Sequence, residues 1–185
     1  LKKKPDYIDA RIGLIRMSTR YSEQLSDQIE QAYTALDDDH VVSSYLKLRD
    51  LRNQVAPYDM ELNIDSRIEG QFRESITRFL SNKYRQAEAL MDEEKFSEAA
   101  ALFDQVVDVD PTYERAAELV KYCKCEPIYR QAVANMANGK YRAAYLQLGR
   151  VLNIDSSFKD ALDLRQEAIN KGVLTVAFVD VRNAY

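Results

Sequence analysis

From Ile8 to Leu36 apolar residues return at steps of three or four: Ile8, Ile12, Ile15, then Leu25, Ile29, Ala32 and Leu36. That spacing lays them along one stripe and predicts a long helix over 5–36. Asp37, Asp38 and Asp39 end the stripe and suit the start of a second helix. Carboxylates accept the unpaired N–H groups of a first turn and face the positive end of the helix dipole. Val41, Tyr45, Leu48 and Leu51 mark that second helix, which should stop before Pro57. The short link predicts an antiparallel hairpin. A third stripe (Ile68, Phe72, Ile76, Phe79, Leu80, Ala87, Leu90) opens with Asp65 or Ser66 as its cap and runs to about Glu93. Phe96, Ala99, Ala100, Phe103, Val106 and Val107 mark a shorter partner. Pro111 is expected to open the next helix, through Leu119 and Tyr122, and Pro127 to stand in a new first turn, the helical place that proline suits. After a break at Gly139 come Tyr141, Ala144, Tyr145, Leu148, Val151 and Leu152. A last stripe (Phe158, Ala161, Leu162, Leu164, Ala168, Ile169) should be capped by Gly172.

The pattern repeats itself. LNIDS occurs at Leu62–Ser66 and at Leu152–Ser156, 90 residues apart, with VDVDP midway from Val107. YRQA occurs at Tyr84–Ala87 and at Tyr129–Ala132, 45 residues apart. Two unrelated strings give one period, which points to an array of repeated helical units.

Composition agrees. Only 5 glycines and 4 prolines occur among 185 residues, too few turn-makers for anything but a mostly helical chain. The formal net charge of −4 gives no electrostatic pull toward phosphates, so nucleic acid is not an expected partner. No stretch approaches the roughly 18 apolar residues of a membrane span. The basic run Lys2–Lys4 reads as a solubilising end. Candidate chemistry is sparse. Cys123 and Cys125 lie two positions apart, about 200° around a helix, which predicts one buried and one half-exposed thiol rather than a metal or redox pair. The single histidine, His40, sits in an acidic turn and reads as a capping or solvent-facing residue. Asp37–Asp39 lacks the spaced oxygens of a calcium loop. No glycine-rich phosphate loop, nucleophile–base pattern or metal-ligand cluster stands out, so no cofactor and no enzymatic activity is expected.

The unit resembles the tetratricopeptide repeat. EEKFSEAAALFDQVVDVDP places Ala87, Phe96, Ala99, Phe103, Val106 and Pro111 on that family's positions, and NGKYRAAYLQLGRVLNIDS places Ala132, Tyr141, Ala144, Leu148, Val151 and Ser156 on them. The match covers 82–156. It departs where Lys83 and Ile128 occupy the large apolar position of the first helix, where Ala replaces the usual Gly, and where Ser156 replaces the closing Pro. The period exceeds the family's by eleven residues, close to three helical turns, which lengthens a first helix without rotating its apolar stripe. A HEAT-like array is the competing label. The resemblance implies an all-α, right-handed α-solenoid of helical hairpins, with a degenerate hairpin over 1–61 and repeats over 62–172; residues 173–185 read instead as the strand-like start of a following domain. It also implies a concave face lined by first helices, on which Ser81, Tyr84, Glu88, Met91, Glu126, Tyr129, Val133 and Met136 would meet a partner protein or peptide. The alternative for the recurring tyrosines is packing against the neighbouring helix.

The tail KGVLTVAFVDVRNAY breaks the helical pattern. Val173 to Val181 is β-branched and apolar, and reads as a buried strand opening a further domain, with a strand lying across the helices as the alternative; left unpaired, its edge is expected to recruit another chain or to pack as an irregular arm on the last helix. An array followed by such a strand is similar to bacterial envelope proteins, including lipoproteins. That resemblance implies a periplasmic or outer-membrane location, with the cytoplasm as the alternative. Two functions follow: a scaffold that binds a partner in its groove, or a spacer that positions a further domain.

Overall fold

The computed structural model describes the backbone of residues 6–173 and the side chains of residues 8–173. Among the described residues seven α-helices follow one another: α1 (Asp6–Thr34), α2 (Asp38–Val55), α3 (Ser66–Asp92), α4 (Phe96–Val109), α5 (Ala116–Ala137), α6 (Tyr141–Ile154) and α7 (Ala161–Gly172), with a 3-10 turn at Ala56–Tyr58. Among the described residues there is no strand. Leu174–Tyr185, most of the segment read as a strand, lies outside them; Val173 is extended and exposed. The chain divides into two compact units, Leu1–Asn82 and Lys83–Tyr185.

In the first unit α1 and α2 pack as a hairpin. Asp37 caps α2, its carboxylate accepting the His40 N–H at 3.1 Å and meeting the exposed His40 ring at 2.7 Å. Leu25, Ile29, Val41, Tyr45, Leu48 and Ile68 form the core, with Tyr45 stacked on Phe72 at 3.8 Å. Arg78 forks onto Asp38, with Nη2–Oδ1 2.7 Å and Nε–Oδ2 3.0 Å, tying α3 to the start of α2. Two parts of the expected α1 stripe are not buried. Ile8, Ile12 and Ile15 are exposed, because α1 has 29 residues against 18 in α2 and overshoots it. Leu36 takes a left-handed conformation (φ 57°) in the turn and points to solvent.

In the second unit α4 packs on α5, α5 on α6 and α6 on α7. The 45-residue period is structural. Helices α4 and α6 have 14 residues each and start 45 apart. Their C-caps have nearly one geometry, φ −140°, ψ 98° at Asp110 and φ −142°, ψ 108° at Asp155. Each of these aspartates folds its carboxylate onto the residue two places on, accepting from Thr112 and Ser157 N–H at 2.9 Å in both turns. Asp65, one period earlier, accepts from the Arg67 N–H in the same way. The preceding helices end alike. At Glu94 (φ 60°) and Gly139 (φ 71°) the chain turns left-handed and returns two hydrogen bonds to the last turn, Lys95 N–H to Leu90 O and Lys140 N–H to Asn135 O, both 2.8 Å. Ala87, Ala99 and Ala116, and their counterparts Ala132, Ala144 and Ala161, are all fully buried. Helices can approach closely only where side chains are this small.

Several expectations give way to the packing. Pro111 lies in the turn before α5, and Phe158 in the turn before α7. Pro127 opens no helix: α5 runs unbroken through it from Ala116 to Ala137. Proline inside a helix costs about 3 kcal/mol, and here burial of α5 against helices on both sides offsets that cost. The same two-sided packing buries both Cys123 and Cys125, since opposite faces of α5 are covered. Burial pushes both thiols up, Cys125 to about 11 with help from Asp155 and Glu126. Gly172 is the last residue of α7 rather than a left-handed cap. A Cβ there would meet the Tyr141 Cβ at 3.2 Å, so its value is close approach.

Replacing Ala99 or Ala144 with Leu should cost about 1–3 kcal/mol by overpacking. Urea denaturation of the two variants checks this, and similar losses are expected because the two sites are equivalent.

Candidate functional site

Within the second unit an open cleft of about 420 Å³ is lined by the end of α3 (Met91, Asp92), the turn residue Glu94, Phe96 at the start of α4, and Arg115, Leu119, Tyr122 and Arg130 around α5. Its position follows from local sequence. The left-handed turn at Glu94 reverses the chain, so Met91 and Phe96 come to flank one opening. Phe96 and Tyr122 meet edge to face at 6.3 Å, and the Arg130 guanidinium lies 5.1 Å from the Phe96 ring. The floor is therefore aromatic and apolar, and the rim is charged.

The rim's two arginines differ. Arg130 donates to Glu94 Oε1 at 2.7 Å and, through Nε, to Glu126 Oε1 at 2.9 Å. These hydrogen bonds raise its pKa further, so it remains a fixed cation. Arg115 is paired with Glu118 at 2.9 Å on the open surface, both side chains well exposed. Such a pair is worth about 0–1 kcal/mol, so it opens at little cost.

Behind the rim Glu126 is buried. Its second oxygen accepts from Lys159 Nζ at 2.5 Å, and that ammonium stands 4.8 Å from the Tyr129 ring, 5.3 Å from Phe158 and 5.7 Å from Tyr122. Burial alone would push the Glu126 carboxyl up; the hydrogen bonds from Lys159 and Arg130 outweigh it and hold the group below its ordinary range. Tyr129 donates to Asp160 at 2.5 Å, and that bond, with burial, pushes its phenol up to about 12.

The eight residues expected to face a partner therefore separate. Met91 lines the cleft. Glu88 and Val133 are exposed on α3 and α5, Met136 is half-buried, and Ser81, half-buried, belongs to the first unit. Tyr84 is buried, edge to face with Phe103 at 5.3 Å and Tyr113 at 5.7 Å. Tyr129 meets Phe158 at 5.6 Å in the equivalent place. Glu126 serves the internal ion cluster. Periodicity did not single out Arg115, Leu119, Tyr122 or Arg130 as cleft residues. One signal was available: Arg130 is the second letter of the second YRQA string.

A smaller opening of about 410 Å³ in the first unit lies between the end of α2 and the LNID segment, lined mainly by polar residues such as Arg52, Asn53, Glu61, Asn63 and Glu69. No helix among the described residues is long and apolar enough to cross a membrane. The chain matches no protein family, no curated protein and no solved structure.

A carboxyl held below its ordinary pKa stabilises the fold above that ordinary value and loses the contribution as pH falls through the folded value. Glu126→Gln should therefore melt below the parent chain at pH 7, on the order of 1–2 kcal/mol given its half-exposed partners. The difference should close as pH drops below the ordinary carboxyl value of 4.5. Thermal melts of both proteins from pH 7 to pH 3 check it, and a gap constant with pH would contradict the assignment.

Proposed function

We propose that this chain is a tetratricopeptide-like interaction module, a right-handed solenoid of helical hairpins. In this reading it binds a segment of a partner protein rather than catalysing a reaction. The observation that carries the reading is the cleft of about 420 Å³, where Met91, Phe96, Leu119 and Tyr122 offer an apolar floor beside Arg115. Methionine adapts to irregular partners, and the half-buried Tyr122 ring beside the buried Phe96 gives contact area at low entropic cost. Arg130 is already held by two carboxylates, so Arg115 with its exchangeable pair sets the charge preference. The partner segment then carries an apolar side chain for the floor and an aspartate or glutamate beside it for Arg115.

A second reading, a spacer that positions another domain, is favoured by one observation. Tyr84, Tyr129 and Glu126, three of the recurring first-helix positions, are consumed by internal packing and ion pairing.

The test is a fluorescence titration with short capped peptides that pair Leu or Phe with Asp, against the same peptides carrying Lys. The acidic set should bind, Arg115→Glu should weaken it about tenfold, and Met91→Glu should abolish it. Methyl NMR of Met91 reports whether the cleft is the place. If no peptide of either set shifts the Met91 methyl, the spacer reading replaces this one.

A further inference from the structure

The cleft of the second unit has two ends, and they can be placed along its helices. Tyr113, two residues before Arg115, meets the Tyr84 ring at 5.7 Å, so the Arg115 end lies level with Tyr84. At the other end Arg130 donates to Glu94 at 2.7 Å, two residues beyond Asp92, where α3 stops. From Tyr84 to Asp92 is eight residues, about 12 Å along a helix. The apolar floor, Met91, Phe96, Leu119 and Tyr122, belongs to the same opening.

The two ends favour opposite charges. Arg115 is the N-cap of α5, where the positive end of the helix dipole adds to its own charge. Its pair with Glu118 is exposed on both sides and opens readily. Asp92 is the last residue of α3, where the dipole is negative, and the last turn of that helix holds no basic residue. Its carboxylate is exposed and lines the cleft. Exposed Glu88, one turn earlier on α3, strengthens the negative side. The cations next in sequence are committed to other carboxylates: Lys95 to Glu93 at 2.7 Å, Arg130 to Glu94 and Glu126. A ligand bearing only an acid answers Arg115 and leaves Asp92 uncompensated.

We propose, on the reading of this cleft as a peptide site, that the segment it holds is dipolar: an acidic residue at Arg115, a Lys or Arg at Asp92, and an apolar residue between them on the floor. In an extended segment alternate side chains share a face, so positions one, three and five all point into the cleft. At about 3.3 Å per residue those five positions span about 13 Å, which matches the separation of the two ends. The recognised pattern is Asp-x-Phe-x-Lys, in either order along the partner chain, since an extended segment turned end for end keeps the same three side chains on one face.

The test uses capped peptides titrated into the full chain, with the Met91 methyl as the reporter of place. Asp-Ala-Phe-Ala-Lys should bind about threefold tighter than Asp-Ala-Phe-Ala-Ala, the size of one exposed ion pair, and the advantage should shrink in about 0.5 M salt. Asp92→Asn should erase that difference and leave the affinity for the Ala peptide as it was. Asp92→Lys should reverse it, so that Asp-Ala-Phe-Ala-Glu becomes the tighter ligand. Ala-Asp-Phe-Lys-Ala, with both charges moved to the opposite face, should lose the advantage in the parent chain. Equal affinity for the Lys and Ala peptides overturns the proposal. So does a Lys advantage that survives in Asp92→Asn, because the cation then has another partner, and so does equal binding of the rearranged peptide, because the spacing is then not read. In each of these cases a shifted Met91 methyl leaves the peptide-site reading standing. No shift with any peptide removes that reading, and this inference with it.

Discussion

The close approach of helices at alanine is the constraint on which the rest of the second unit depends. At Ala87, Ala99 and Ala116, and again at Ala132, Ala144 and Ala161, no side chain beyond a methyl separates neighbouring backbones, and each is fully buried. Once those contacts are fixed, the larger residues fill what remains. Phe103 and Leu148 occupy one equivalent place, Val106 and Val151 another, all four without exposure. The cleft residues are placed by the same contacts: Met91 one turn after Ala87, Phe96 three residues before Ala99, Leu119 three after Ala116.

Repetition fixes the backbone and leaves side chains free to differ. Glu114 and Lys159 occupy equivalent left-handed positions, φ 43° and φ 45°, with opposite charge. Lys159 reaches into a cage of three rings and meets the buried Glu126; the position equivalent to Glu126 one period earlier is Ser81. The ring pairs persist through this exchange, Tyr84 with Tyr113 and Tyr129 with Phe158, at 5.7 Å and 5.6 Å. The repeated tyrosines thus belong to the frame, and the ion cluster is an addition to one unit.

Helix identity, order and period were legible because burial on a helix writes itself at steps of three and four. Capping was legible too: Asp37 and Asp65 both hold N–H groups as their positions foretold. What periodicity could not show was competition between a local rule and tertiary packing. Proline taken alone argues for a boundary at Pro127, and only the neighbours on both sides of α5 explain why the helix passes through it. Exposure of Ile8, Ile12 and Ile15 was hidden for a related reason: a stripe records a face, not the length of the helix opposite it. The cleft was the least legible feature, since Arg115 and Arg130 are 15 positions apart on the chain and look like ordinary solvated charges.

Continuity through Pro127 has a consequence for motion. Proline brings no N–H, so the carbonyl of Cys123 lacks its partner four residues on, at the most enclosed part of α5. Helices open locally where their ladder is thinnest. The rungs around Cys123 to Pro127 are therefore where the ladder of α5 is thinnest, with α4 reaching this stretch through Asp104 and Lys124 and α6 through Val151 and Cys125. Amide exchange would divide the helix there into an earlier and a later block with separate protection. The Glu126–Lys159 ion pair sits next to that seam and closes it with the turn before α7. A single continuous helix is thus expected to exchange as two segments, with the gap placed where a neighbouring charge pair latches it.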